Sequence, residues 1–442
     1  MKTLVSVLFI LAMAIPAFAG WTVTVLTPTG AVQAQAAGVF GNQQVGSVQI
    51  GEYGYASIWN GVADDWANLG PAGMIYSYAA GVSDDQQVGS VFVTPYIGNG
   101  IYHASLWSGT AESWVDLNPT AATMSAATAV SNGQQAGCVI TDGIYHASLW
   151  SGTAESWVDL NPNESFQSYA SGVSNNQQVG WVWGPEGGSF ASLWSGTSES
   201  LVNLHPAWAI SSYATGVSNG QQVGGFQTAW NGHACLWNST ADSIVDLHPI
   251  GAGNSYGSSI SNGYQVGDIT IDGFQYASLW HGTPESWIDL SCFLPAGKYF
   301  YSSTSGIYVS GKDIWVTGSA QGDNMYGSDA ILWHYTYVPQ MDVAFRISNT
   351  NGAPGTNVIL KSTMTTNRKP VIGRKAWFFV DGKVVGSAIS DKEGAAISYV
   401  IPTTMALGNH NITVYFAGDA IYNESSQTSS VLKVIPKRGA KL

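Results

Sequence analysis

One short segment recurs along most of the chain, and it limits the fold more than any other feature. Tyr55-Ala-Ser-Ile-Trp59 returns as His103-Ala-Ser-Leu-Trp107, His146-Ala-Ser-Leu-Trp150 and Phe190-Ala-Ser-Leu-Trp194. It returns again as His233-Ala-Cys-Leu-Trp237 and Tyr276-Ala-Ser-Leu-Trp280, and in weaker form as Asp329-Ala-Ile-Leu-Trp333. Successive tryptophans are 48, 43, 44, 43, 43 and 53 residues apart. A fixed period of this size signals one supersecondary unit per copy, stacked on its neighbours to bury a continuous core.

Each copy carries three further segments. The first is of the type Ala79-Ala-Gly-Val-Ser83 and Ala214-Thr-Gly-Val-Ser218; the second is Gln86-Gln-Val-Gly89 and its repeats; the last is Ser113-Trp-Val-Asp-Leu-Asn-Pro119 and its repeats. All alternate with period two and are split by turn residues, among them Asn132-Gly133, Asn219-Gly220 and Asn262-Gly263. Asn-Gly supplies the positive φ angles of a tight hairpin. Four antiparallel strands in about 43 residues match one propeller blade. The small residues of Ala-x-Gly-Val-Ser suit the crowded innermost strand, followed outward by Gln-Gln-Val-Gly and Ala-Ser-Leu-Trp. The Pro-ended segment suits the outer edge.

The seventh copy, Tyr301 to Tyr337, lacks an outer strand, whereas Val23-Thr-Val-Leu-Thr-Pro28 matches one. The chain is therefore expected to form an all-β, seven-bladed β-propeller over residues 20–340, with the N-terminal strand completing the last blade. At these residues the repeat resembles the bacterial extracellular repeat named for its His-Ala-Phe triplet, with Ser in the third place here. That resemblance covers residues 21–340. It implies export and a propeller but brings no activity.

Residues 341–442 change character. Seven short strands, from Asp342–Ile347 to Val431–Ile435, are bounded by turns, and Asp381-Gly382 marks a hairpin. This pattern argues for an immunoglobulin-like sandwich with a short basic tail. Gly408-Asn-His-Asn-Ile-Thr-Val-Tyr-Phe-Ala-Gly-Asp419 resembles bacterial Ig-like repeats, which implies a spacer or adhesion module. The first nineteen residues read as a secretory signal: Lys2, an apolar run from Leu4 to Ile15, then Ala17-Phe18-Ala19. A secreted or periplasmic protein without a membrane span is expected.

Charge divides the chain in the same place. No Lys or Arg occurs between Thr3 and Gly297; residues 20–340 hold 22 acids against Lys298 and Lys312. Residues 341–442 hold 6 acids against 12 bases. Nucleic acid is excluded as a partner of the first domain, since phosphate contacts depend on Lys and Arg. Cys138, Cys235 and Cys292 are too few for a disulfide framework and read as small buried hydrophobes.

No catalytic constellation is legible. The recurrent Asp116, Asp159, Asp246 and Asp289 fall on outer strands of different blades, too far apart for a glycosidase pair. His103, His146 and His233 share one slot with Tyr55, Phe190 and Tyr276, which points to packing rather than a metal site. Variation among copies on a shared frame marks the loops between second and third strands as the place for binding. The candidates there are Glu52, Tyr53, Tyr96, Asp142, Trp181, Trp183, Glu186, Trp230, Asp272 and Phe274. Aromatics beside acids suit an extracellular glycan, with calcium as a conceivable aid and no cofactor required; a protein partner is the other option. The expected function is a non-catalytic binding or scaffold protein. The alternatives are a carbohydrate-active propeller enzyme (glycosidase or lyase) and a structural matrix component.

Overall fold

In the computed structural model each repeat folds into one four-stranded antiparallel sheet. The structure describes residues 20–93, 100–163, 165–184, 187–322, 327–336, 341–418 and 422–437; the expected signal segment lies outside them. The chain divides into a unit of Trp21–Thr336 and a second unit built from the residues after it.

The fourth sheet shows the plan. Its inner strand Gln167–Ser174 pairs with Gln177–Trp183, which pairs with Ser189–Trp194, which pairs with the two-residue outer strand Val202–Asn203. Six sheets of the first unit follow this sequential order; the seventh runs Tyr301–Ser310, Asp313–Gln321, Asp329–Tyr335, then Trp21–Val25. Its last strand therefore comes from the other end of the unit, with Val23 opposite Trp333.

The repeated residues explain the plan. Gly180 belongs to the Gln-Gln-Val-Gly segment, and a Cβ there would run into the carbonyl oxygen of Tyr169 on the inner strand. The second Gln of that segment is fully buried, and its Oε1 accepts a hydrogen bond from the backbone of the third-to-outer turn, as from Gly152 N at 2.8 Å and Gly196 N at 2.8 Å. Every inner strand carries a one-residue bulge at the same place, for example between Ala170 and Gly172. A bulge turns the strand and reverses which side chains face each way beyond it.

Neighbouring sheets are tied by their cores and by buried bonds. All seven third-strand tryptophans, Trp59 to Trp333, are fully buried. Trp107 packs with Val45, Ile58 and Leu69 of the preceding sheet, and the other gaps repeat this cluster. Burying side chains of this size contributes several kcal/mol per gap at roughly 25 cal/mol per Å². A serine at the start of one inner strand accepts a backbone N–H from the preceding sheet, as Ser168 Oγ does from Ala147 N at 2.9 Å. The inner strands close on themselves: Gly306 of the seventh sheet lies against Ala37 and Gly38 of the first. They enclose a channel of ≈ 350 Å³ lined by small residues of all seven.

In the second unit, Ala344–Ile347, Asn357–Thr366, Lys369–Pro370 and Ala395–Val400 form one sheet. Thr350–Gly352, Ser425–Val434, Gly408–Phe416, Lys375–Val380 and Lys383–Ile389 form the other. Phe345, Leu360, Met364, Phe378, Val414 and Leu432 meet in their common core. The Asp381-Gly382 turn has φ of +46° and +78°, as its hairpin demands.

Candidate functional site

The ring has two unlike ends. One carries the Asn-Gly turns that join inner to second strands. The other carries the second-to-third hairpins and the starts of the inner strands. Among the described residues, every exposed Phe, Tyr and Trp side chain of this unit lies at the second end. Tyr53, Tyr102, Tyr145, Trp183, Trp230 and Phe274 stand on or beside the hairpins; Tyr78, Phe166, Trp208, Tyr256, Phe300 and Tyr301 stand where inner strands begin.

An open groove of ≈ 610 Å³ lies on this face between the third, fourth and fifth sheets. Pairing sets its geometry. Trp181 lies opposite Tyr169 and Trp183 opposite Gln167, and the two-residue period puts both tryptophans on one face of the strand. The rings of Tyr169 and Trp181 are 6.1 Å apart and inclined by only 4°, a flat platform. Tyr145 and Tyr213 wall it, and Gln167, Ser171, Ser189 and Thr215 supply uncharged polar groups. Burial, followed by the neighbouring Cys138, Tyr145 and Tyr78, pushes the Tyr169 hydroxyl above its ordinary value, so it stays protonated. Burial does the same to Tyr213 beside Tyr256 and Cys235.

Two sheets further round, Asp268 occupies the slot that Trp181 fills in the fourth sheet, opposite Tyr256. Its Oδ1 accepts from Thr304 N at 2.8 Å and its Oδ2 from Gln275 Nε2 at 2.7 Å. Burial nevertheless outweighs these bonds and pushes its carboxyl up to about 7. In the third sheet the same slot holds Cys138, whose thiol burial pushes up to about 12. The inner-strand tyrosines and Asp268 were not among the sequence candidates. The tyrosines do not stand out as departures from the repeat, because Tyr78, Tyr169, Tyr213 and Tyr256 fill the same place in four of the seven inner strands.

The sequence candidates are dispersed. Trp181 and Trp183 meet in the groove. Glu52 lines a separate cleft with Tyr78 and Tyr102, and its carbonyl accepts from Tyr76 Oη at 2.8 Å. Tyr53 is exposed on the same hairpin. Asp142 and Asp272, each before a Gly, have φ of +52° and form tight turns. Phe274 packs on Tyr301 at 5.8 Å, while Trp230 is 93% exposed at the tip of its turn. Tyr96 and Glu186 lie outside the described residues.

The recurrent histidines pair with the recurrent outer-strand acids: His103 with Asp116 at 2.7 Å, His146 with Asp159 at 2.8 Å, His233 with Asp246 at 2.8 Å. Among the described residues no group of three or more His, Cys, Asp or Glu gathers as metal ligands. Since Phe190 fills this slot in the fourth sheet, His103→Phe is expected to change unfolding free energy by less than about 1 kcal/mol, as for other half-exposed pairs. A larger loss in thermal or denaturant melts would give the pair a role beyond packing. All three cysteines are free; Cys138 and Cys235 are buried, but Cys292 is exposed, against expectation, because the short turn after the sixth outer strand carries it outward.

No family model matches the chain, and no curated protein matches it. The solved structures it resembles are of propeller type. Puromycin hydrolase is 11% identical over 77% of this chain and 61% of that one, with a TM-score of 0.45. The extracellular domain of a one-component system from B. thetaiotaomicron is 9% identical over 95% of this chain and 58% of that one, with a TM-score of 0.43. Tricorn protease is 9% identical over 90% of this chain and 39% of that one, with a TM-score of 0.36. The chain thus spans about three fifths of the first of these structures. The expectation of a protein that is no enzyme is corrected here, since a hydrolase and a protease stand among these neighbours. A sequence does not display the burial that sets the proton affinity of a carboxyl such as Asp268. These likenesses assign no particular reaction. No helix among the described residues is long and apolar enough to cross a membrane.

Proposed function

We propose that the first unit is a seven-bladed β-propeller that grips an extracellular glycan on its aromatic end, and that the second is an immunoglobulin-like spacer or adhesion module. The carrying observation is the one-sidedness of the exposed Phe, Tyr and Trp side chains: twelve at one end and, among the described residues, none at the other. Sugar rings offer a flat apolar face and a rim of hydroxyls, which suits aromatic platforms beside Gln, Ser and Thr. Resemblance to exported repeat proteins supports the propeller and its export, and brings no ligand.

A carbohydrate-active enzyme is the second reading, and Asp268 favours it. A carboxyl with a pKa of about 7 holds its proton half the time at neutral pH, as a general acid must. The test is a glycan array probed with the full exported chain, followed by incubation of each bound polysaccharide and assay of new reducing ends. Retention weakened by Trp183→Ala is expected. Release of reducing ends that Asp268→Asn abolishes would establish the enzymatic reading. An array without signal would overturn the glycan assignment.

A further inference from the structure

Resting on that glycan reading, we propose that the groove of Tyr169, Trp181 and Trp183 is a subsite for neutral sugar rings, and that the aromatic end rejects uronate and sulfate glycans. Two independent observations converge. The first is the lining. Among the described residues, all nine around the groove are uncharged: aromatic platforms with Gln, Ser and Thr at their margins. Its two part-buried tyrosine hydroxyls, on Tyr169 and Tyr213, hold their protons well above neutral pH. Such walls can stack a pyranose and exchange neutral hydrogen bonds, but they offer no partner for an anion. Burying an unpaired carboxylate or sulfate there is costly.

The second observation is the surrounding field. The unit carries 22 acids against Lys298 and Lys312. Lys312 sits on the inner-to-second turn of the seventh sheet, at the other end of the ring. Lys298 stands on the aromatic end, where Asp329 holds its ammonium at 3.0 Å. A polyanion approaching this end finds Lys298 as the one lysine of the unit there, already held by Asp329, whereas a neutral chain needs no cation to receive it.

The experiment uses the full chain. Cellohexaose, mannohexaose and chitohexaose serve as neutral probes, hexagalacturonate as the anionic one, and a proline-rich peptide as a different aromatic-seeking ligand. Calorimetric titration is run at 20 and 150 mM salt, with and without calcium. At least one neutral oligosaccharide is expected to bind with salt-independent affinity, at least tenfold weaker in Trp183→Ala and restored in Trp183→Phe. Trp183 is 44% exposed, so its replacement leaves the core intact. Hexagalacturonate binding as tightly as the best neutral probe, with or without calcium, would overturn the charge selectivity and leave the glycan reading standing. Binding of the peptide alone, or of no probe, would overturn both.

Discussion

A chain lacking residues 20–27 is expected to lose the cooperative melting of the ring and to aggregate. The strand Trp21–Val25 makes five register pairs with the third strand of the seventh sheet, where the other six outer strands have two residues each. The difference is physical. A short outer strand survives where a tight turn tethers it to its partner, whereas this one arrives from some three hundred residues away and must be held by pairing and packing. Leu26 then enters the slot that Leu69, Leu117, Leu160, Leu204, Leu247 and Leu290 fill in the other sheets; all seven are fully buried. Leu26 N donates to Ala330 O at 2.8 Å, as Leu160 N does to Ala147 O. Trp21 stacks on Phe293 at 5.6 Å. Removal would bare the edge of Asp329–Tyr335, which invites pairing with another chain. The single change Leu26→Ala should cost about 2–5 kcal/mol. Size-exclusion chromatography and thermal melting read the result; a monomeric truncated chain with an unchanged midpoint would refute this account of closure.

That closing strand was legible because its residues repeat a pattern. Val23-Thr-Val-Leu26 carries the alternation and the leucine of the outer segments, so register and partner followed from likeness alone. The order of strands within each sheet was legible for the same reason: glycine where backbones crowd, tryptophan where a gap needs filling. The site was only partly so. Trp181 and Trp183 could be found as departures from the repeat, but Tyr169 and Tyr213 could not. They sit on inner strands whose small residues suggested a uniformly crowded axis. The bulge between Ala170 and Gly172 reverses the facing of side chains halfway along. The small half lines the channel, and the tyrosine half opens onto the aromatic end. A period-two reading passes over such a reversal, because the bulge leaves no mark on the alternation of residue types.

Asp268 is the other feature that no pattern displays, and it is expected to dominate the difference in pH response between the wild-type ring and Asp268→Asn. Its carboxyl is held at about 7 in the folded chain because burial beside the seventh inner strand penalises the ionised form. Unfolding returns it to the ordinary range near 3.8. A raised folded value means that the native state binds the proton more tightly. The contribution to stability is therefore fully present below pH 3.8 and is lost as pH rises through about 7. Integrated over that window it amounts to about 4 kcal/mol at most. Asparagine keeps an oxygen for Thr304 N, and a rotated Gln275 amide can meet its nitrogen, so the variant should fold. Other acids, such as Asp329, titrate in the opposite sense, but they are common to both proteins and cancel in the comparison. Denaturant melts of both at half-unit steps from pH 4 to 8 should show the wild type losing stability relative to the variant, most steeply between pH 5 and 7. Parallel curves would mean that Asp268 is ionised throughout, held by its two hydrogen bonds. It would then be a clamp between the sixth and seventh sheets, and the proton-donor reading of the aromatic end would fall with it.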